Sequence, residues 1–168
     1  MEFSLEQQFP APVDEVIAAY VDPTLYDRMV GMARVEPPQV LDVTRKGDVV
    51  VVRARFRFIA DVPSAARPLV DPDRLTWIDE SSYDLVTHQS VTRLLPDHYA
   101  DRLSASANSR FDPDPADPRH TVRRIVGELR VRAPLVAGRV ERAIVDGLRE
   151  HLADEGRVVA EHLRDAAD

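Results

Sequence analysis

Cysteine is absent from the 168 residues, which excludes disulfides, thiolate nucleophiles and Cys-ligated metals. Lysine is almost absent: Lys46 stands alone and arginine supplies the rest of the positive charge. Only six glycines occur, and no phosphate-cradling glycine pattern or Ser-His-Asp arrangement is found among them and their neighbours. No apolar run approaches the roughly 18 to 20 residues of a membrane span, so integral membrane association is not expected. The opening Met1-Glu2-Phe3-Ser4 does not read as a signal peptide, and a cytoplasmic protein is the default expectation. Positive charge is in deficit, with a formal net charge of −7, which argues against nucleic acid as a partner.

What is present suits one soluble domain spanning residues 1–168. The hydrophobic fraction is 44%, ordinary for a globular chain, and the length allows a sizeable core. The dominant stretch runs from Pro134 to about residue 165. It reads as one amphipathic helix of about 32 residues, roughly 48 Å long. Pro134 suits a first helical turn. Val140, Ile144, Leu148, Leu152, Val159 and Leu163 share one face. The opposite face carries Arg142, Asp146, Arg149, Glu150, Asp154, Arg157, Glu161 and Arg164, with acid–Arg pairs expected at Asp146/Arg149, Asp154/Arg157 and Glu161/Arg164.

Upstream, Phe3, Leu5 and Phe9 alternate with polar residues as a half-buried strand, with Gln7 interrupting the apolar set. Val13, Val16, Ile17, Tyr20 and Val21 then recur at helical spacing, and Asp22-Pro23 stops that helix. Leu25, Tyr26, Met29 and Val30 predict a second short helix closed by Gly31. A strand follows from Val35, interrupted by Pro37-Pro38 and so expected to be an edge or a bulged strand, with a turn near Gly47. The clearest strand sets Val50, Val52, Ala54, Phe56 and Phe58 on one face and Arg53, Arg55 and Arg57 on the other. Residues 61–73 read as a loop with one helical turn at 64–69. The next strand gives Leu75, Trp77, Asp79, Ser81 and Tyr83 one parity. Parity over 86–95 is ambiguous. Leu103, Ala105, Ala107 and Phe111 alternate in a further strand, and Ile125, Gly127, Leu129 and Val131 form the inner face of the last. The order is strand, two helices, six strands, long helix. Small inward residues (Ala54, Ala105, Ala107, Gly127) either leave a cavity between helix and sheet or let the helix pack closely.

The opening strand, Ala11-Pro12-Val13-Asp14-Glu15-Val16 and the Asp22-Pro23 break resemble the start of START-like domains, the SRPBCC or helix-grip superfamily. Leu135-Val136-Ala137-Gly138-Arg139-Val140-Glu141, leading into the long helix, resembles an actinobacterial branch catalogued only as a domain of unknown function. The resemblance implies an α+β fold in which a seven-stranded curved antiparallel sheet grips the C-terminal helix, with an internal pocket for an apolar or amphipathic ligand such as a lipid or polyketide-like compound. It implies no catalytic residue, and no cofactor is expected.

The residues expected around such a pocket are Phe56, Phe58, Trp77, Asp79, Tyr83, Ala105, Ala107, Leu129, Leu148, His151, Leu152, Glu155 and Val159. A carboxylate or imidazole there binds a ligand hydroxyl or acts as general base; the alternative is that these groups reach solvent. His151 and Glu155 are spaced as two metal ligands at i, i+4, but His162 lies about 16 Å further along the helix, so no metal site is expected. Glu141 and His162 lie near the same stripe, and His88 on a strand of unfixed parity. Three function classes follow: a noncatalytic small-molecule binder; a cyclase- or hydrolase-like enzyme using Glu155, His151 or Asp79; and a protein-interaction module using a sheet edge or the Arg53, Arg55, Arg57 row. A pocket beneath the second half of the helix would make Leu152 and Val159 cheaper to truncate than Ile144 and Leu148.

Overall fold

The computed structural model describes every residue except Pro63, Ala65, Ala66, Pro68, Leu69 and Asp168. The strands β1 (Glu2–Phe9), β2 (Gln39–Lys46), β3 (Val49–Arg57), β4 (Thr76–Asp84), β5 (Gln89–Pro96), β6 (Leu103–Pro113) and β7 (Thr121–Val131) form one antiparallel sheet. Their spatial order is β1-β7-β6-β5-β4-β3-β2. Thus β2 to β7 form a meander of neighbours in sequence, and β1 adds to its far side. Helices α1 (Val13–Val21) and α2 (Pro23–Asp27) follow β1, and α3 (Ala137–Ala167) packs against the sheet. This is the helix-grip architecture, with β2 at an edge as the Pro37-Pro38 signal predicted.

Period-two patterning decides which face meets α3. In the β3–β4 ladder Val50, Val52, Ala54 and Phe56 stand opposite Tyr83, Ser81, Asp79 and Trp77. In the β1–β7 ladder Phe3, Leu5, Gln7 and Phe9 face Gly127, Ile125, Arg123 and Thr121. Gln7 therefore points inward with the apolar set, opposite an equally inward arginine. Parity in β5 is fixed by its neighbour: Ser90, Thr92, Leu94 and Pro96 pair with the inner residues Tyr83, Ser81, Asp79 and Trp77.

The second half of α3 is solid core. Val158, Val159 and Leu163 pack with Val16, Ile17 and Tyr20 of α1 and with Phe9, Val52 and Phe111 of the sheet. Leu152 and Val145 pack with Phe3, Ile125 and Leu129. Gly127 leaves no void, because a Cβ there would meet Phe3 Cζ at 2.3 Å. The Phe3 ring from the adjacent strand occupies the space that the missing side chain leaves.

Several boundaries differ from expectation. The long helix begins at Ala137, not Pro134: Leu135 has φ 69°, a left-handed conformation outside helical geometry, and is fully exposed. The buried stripe is wider than read, since Val145 and Val158 are buried too. On the outer face only Asp146–Arg149 forms as expected, at 2.8 Å. Arg157 instead pairs with Glu161, and Asp154 accepts from the Ala33 N–H. The second helix starts earlier, at Pro23, because the Asp22 carboxylate caps it through Thr24 N. Val35 makes only an isolated bridge to Phe58, so the third segment becomes regular strand after the prolines. The helical turn expected at 64–69 lies outside the described residues, and a 3-10 turn occupies Pro72–Arg74.

Candidate functional site

Along one side of the first half of α3 the helix stands off the sheet, while Val145 on the other side packs on Phe3, Ile125 and Leu129. A cavity of about 520 Å³ lies there, walled by Val140, Ala143, Ile144, Gly147, Leu148 and His151 on the helix side. The facing wall comes from the end of the sheet where β3 leaves, β4 begins, β5 ends and β6 and β7 meet, through Phe58, Leu75, Trp77, Leu94, Leu103 and Val131. The wall is mainly apolar, and the volume falls in the roughly 300–1,000 Å³ range of small-molecule sites. The cavity reaches the surface, because the exposed Arg74, Arg102 and Arg132 are part of its lining.

Four of the expected pocket residues line this space: Phe58, Trp77, Leu148 and His151. Phe56 stands behind them, stacked on Trp77 at 5.7 Å and edge-on to His151 at 5.7 Å. Ala105, Ala107, Leu129 and Leu152 belong to the packed cluster around Phe3, and Tyr83 and Val159 to the larger core. The cavity thus lies beneath the first half of the helix, not the second. The truncation order considered from the sequence reverses accordingly. Leu152→Ala, in packed core, should cost about 2–5 kcal/mol, whereas Leu148→Ala, bordering existing space, should cost less than about 2 kcal/mol. Paired denaturant melts check this, and equal losses would mean that the cavity is filled in solution.

Beyond the cavity a polar network binds helix to sheet. Arg123 is 5% exposed. Its Nη1 donates to Glu155 Oε1 at 2.9 Å, to Tyr20 Oη at 2.9 Å and to Gln7 Oε1 at 3.1 Å, and its Nε to Ser109 Oγ at 3.3 Å. Tyr20 Oη donates to the same Glu155 oxygen at 2.7 Å, and Gln7 Nε2 to the Leu152 carbonyl at 2.6 Å. Gly156 keeps that approach open, since a Cβ there would sit 3.3 Å from Gln7 Nε2. The guanidinium also lies 4.7 Å from the Tyr20 ring centre and 5.3 Å from that of Phe111. Burial works against its charge, but Tyr20 and Glu155 outweigh it and raise the Arg123 pKa. Burial likewise pushes Tyr20 well up and Tyr83 to about 12. Glu155, a candidate base from its place on the stripe, is therefore occupied in clamping α3 to β7 and α1.

Two other candidates remain without such partners. Burial lowers the His151 pKa, with Glu155 and Asp154 pulling the other way, and its Nδ1 is buried without a hydrogen-bond partner among the described residues. Asp79 faces inward between Ala54 and Leu94 and accepts no hydrogen bond from the described residues. Burial pushes it up to about 7, the Glu155 charge adds to the rise, and the Trp77 N–H offsets part of it. Among the described residues the Trp77 Nε1 has no well-formed hydrogen-bond partner.

A family model described as "Protein of unknown function (DUF2505)" matches residues 4–163. The chain belongs to the DUF2505 family. Among solved structures it is similar over 100% of both chains to TTHA0849 from Thermus thermophilus, at TM-score 0.70 and 16% identity. It is also similar to the Zhui aromatase/cyclase from Streptomyces sp. R1128, over 100% of this chain and 96% of that one, at TM-score 0.66 and 17% identity. A START superfamily protein from Mycobacterium smegmatis matches over 98% of each chain at TM-score 0.58 and 14% identity. At such identities these likenesses establish the START-like fold alone. No curated protein matches the chain.

The remaining candidates in this DUF2505 chain have structural partners. His88 sits in a turn with φ 55°, its Nε2 2.9 Å from Asp14 Oδ1. Glu141 accepts from the Val131 N–H at 2.9 Å, and His162 Nε2 lies 3.8 Å from Asp22. The outer arginines are matched by acids: Arg53 with Asp42 and Glu80, Arg55 with Asp97, Arg57 with Glu36 and Asp73. Among the described residues no cluster of three or more His, Asp or Glu is placed to hold a metal, and no helix is long and apolar enough to cross a membrane. Arg123 was missed in the sequence although it shares parity with Ile125. The available signal was the opposed inward pair that it makes with Gln7.

Proposed function

We propose that this protein binds a small apolar or amphipathic molecule in the cavity between the first half of α3 and the sheet. The observation that carries this is the cavity itself: about 520 Å³ of mainly apolar-lined space that opens to the surface at one end of the sheet. The core is otherwise closely packed, so an unfilled apolar space of this size forgoes contacts that a ligand supplies. Native mass spectrometry of protein purified from its own host, followed by thermal shifts against a lipid and aromatic library, tests the reading. Ligand at a hundred times its dissociation constant should stabilise by about 2.7 kcal/mol. Ala143 lines the cavity and is half-buried. Ala143→Leu should fill part of the space, preserve the fold and abolish that gain. A protein that carries nothing and responds to no library member would end the proposal.

Asp79 favours a second reading, an enzyme of the cyclase or hydrolase kind. An inward carboxyl with no well-formed hydrogen bond from the described residues, its pKa raised to about 7, is suited to proton transfer. It lies two residues from Trp77 and directly across from Leu94, both in the cavity wall. If turnover of any pocket ligand is found, Asp79→Asn should abolish it while leaving binding intact.

A further inference from the structure

The chain carries 29 acidic and 22 basic residues, yet the described lining of the cavity includes four arginines and no carboxylate. The four are Arg34, Arg74, Arg102 and Arg132. They come from separate segments: the loop before β2, the 3-10 turn before β4, the start of β6 and the end of β7. Arg34 is matched by Glu150 at 2.7 Å, and Arg102 has Asp101 at 3.8 Å. Arg74 and Arg132 form no ion pair with the described residues. Arg74 Nη2 donates to His98 Nδ1 at 3.1 Å, and its guanidinium lies 5.9 Å from the Tyr99 ring centre. Histidine carries no negative charge in any of its ordinary forms, so this partner does not neutralise Arg74. Arg102 and Arg132 are brought side by side by the backbone bond from Arg132 N to the Arg102 carbonyl, 2.8 Å.

We infer that the cavity takes an amphipathic anion. Its apolar part fills the space beneath α3, and a carboxylate or phosphate head sits at the mouth against Arg74, Arg102 and Arg132. This rests on the binding function proposed above and specifies its ligand class. An apolar chamber alone would accept an alcohol or hydrocarbon equally well. A rim in which Arg74 and Arg132 have no ion-pair partner among the described residues, in a net-acidic protein, selects for negative charge at one end of the ligand.

Trp77 is the only tryptophan and lines the cavity, so its emission reports occupancy directly. Four probes of equal chain length, each kept below its micelle concentration, separate the contributions: dodecanoate, dodecyl phosphate, dodecanol and dodecyltrimethylammonium. At least one of the two anions should bind about tenfold or more tighter than dodecanol, and the cation more weakly than dodecanol. The anion that wins identifies the head group. The preference should narrow as salt is raised. In the double variant Arg74→Gln, Arg132→Gln the anion should come within about twofold of dodecanol, with dodecanol affinity unchanged. Both side chains are exposed, so folding should survive, and near-UV circular dichroism checks it. Dodecanol binding as tightly as both anions, or an anion preference untouched by the double variant, would overturn the assignment while leaving the binding cavity standing. If none of the four probes binds, the cavity reading itself fails and the head-group assignment falls with it.

Discussion

Arg123→Met should cost about 3–5 kcal/mol of stability, the penalty for stranding the partner of a buried ion pair. The side chain is 5% exposed and donates to Glu155, Tyr20, Gln7 and Ser109. Its removal leaves the Glu155 carboxylate desolvated, with only Tyr20 Oη as donor among these groups. Methionine preserves much of the volume, so the loss reports unpaired charge more than a void. Removing the second charge as well should recover part of it: Arg123→Met with Glu155→Leu should be less destabilised than the sum of the two single changes. Urea or guanidinium melts of the four proteins complete the cycle. A loss below about 1 kcal/mol for Arg123→Met would mean that water reaches the network and that the clamp between α3 and β7 is weak.

Asp79→Asn should act in the opposite direction. With the carboxyl raised from 3.8 to about 7 in the folded protein, the native state holds a proton that the unfolded chain releases. Stability linked to this group is therefore complete below about pH 4 and is lost as pH rises toward 7 and beyond. Asparagine, neutral throughout, escapes that loss. The variant should be more stable than the parent by about 2–4 kcal/mol at pH 8, and by little at pH 4. Melts across that range give the slope. A difference that does not change with pH would show that Asp79 ionises in the fold as it does in water. Such a gain, set beside lost activity if activity exists, would be the usual sign of a functional group kept at the expense of stability.

The architecture could be read from the chain because two periodicities carry it. Alternation through Val50 to Phe56 and through Ile125 to Val131, and the helical recurrence from Val140 to Leu163, give strands and helix with their inner faces. Where apolar alternation fails, so does the reading. The inner face of β5 is Ser90, Thr92, Leu94 and Pro96, while Val91 and Leu95 are exposed at 42% and 38%. Hydrophobicity there points the wrong way, and only the pairing with β4 settles it. Gln7 reads as an interruption of the apolar set, and Arg123 belongs to no apolar pattern, for the same reason. Each is an inward polar group whose partner lies more than a hundred residues away in sequence.

The site was legible only in part. Phe58, Trp77, Leu148 and His151 fell on predicted inner faces and do line the cavity. The arginines of the rim did not, because they sit in turns and at strand ends where no periodicity operates. Which half of α3 covers empty space was likewise unreadable. It depends on how far the sheet and the two short helices extend, not on the helix's own stripe, which carries apolar residues in both halves.

The placement of those arginines has a consequence for how such a protein can diverge. Arg74 and Arg132 lie outside the strands, and Arg102 immediately before β6. None takes part in the inward alternation that fixes register. Substitution at these positions changes the charge at the mouth without asking the sheet to repack, whereas Arg123 and Glu155 cannot change singly without stranding a buried charge. Head-group preference and fold integrity are therefore written in different residues, and one can drift while the other is held.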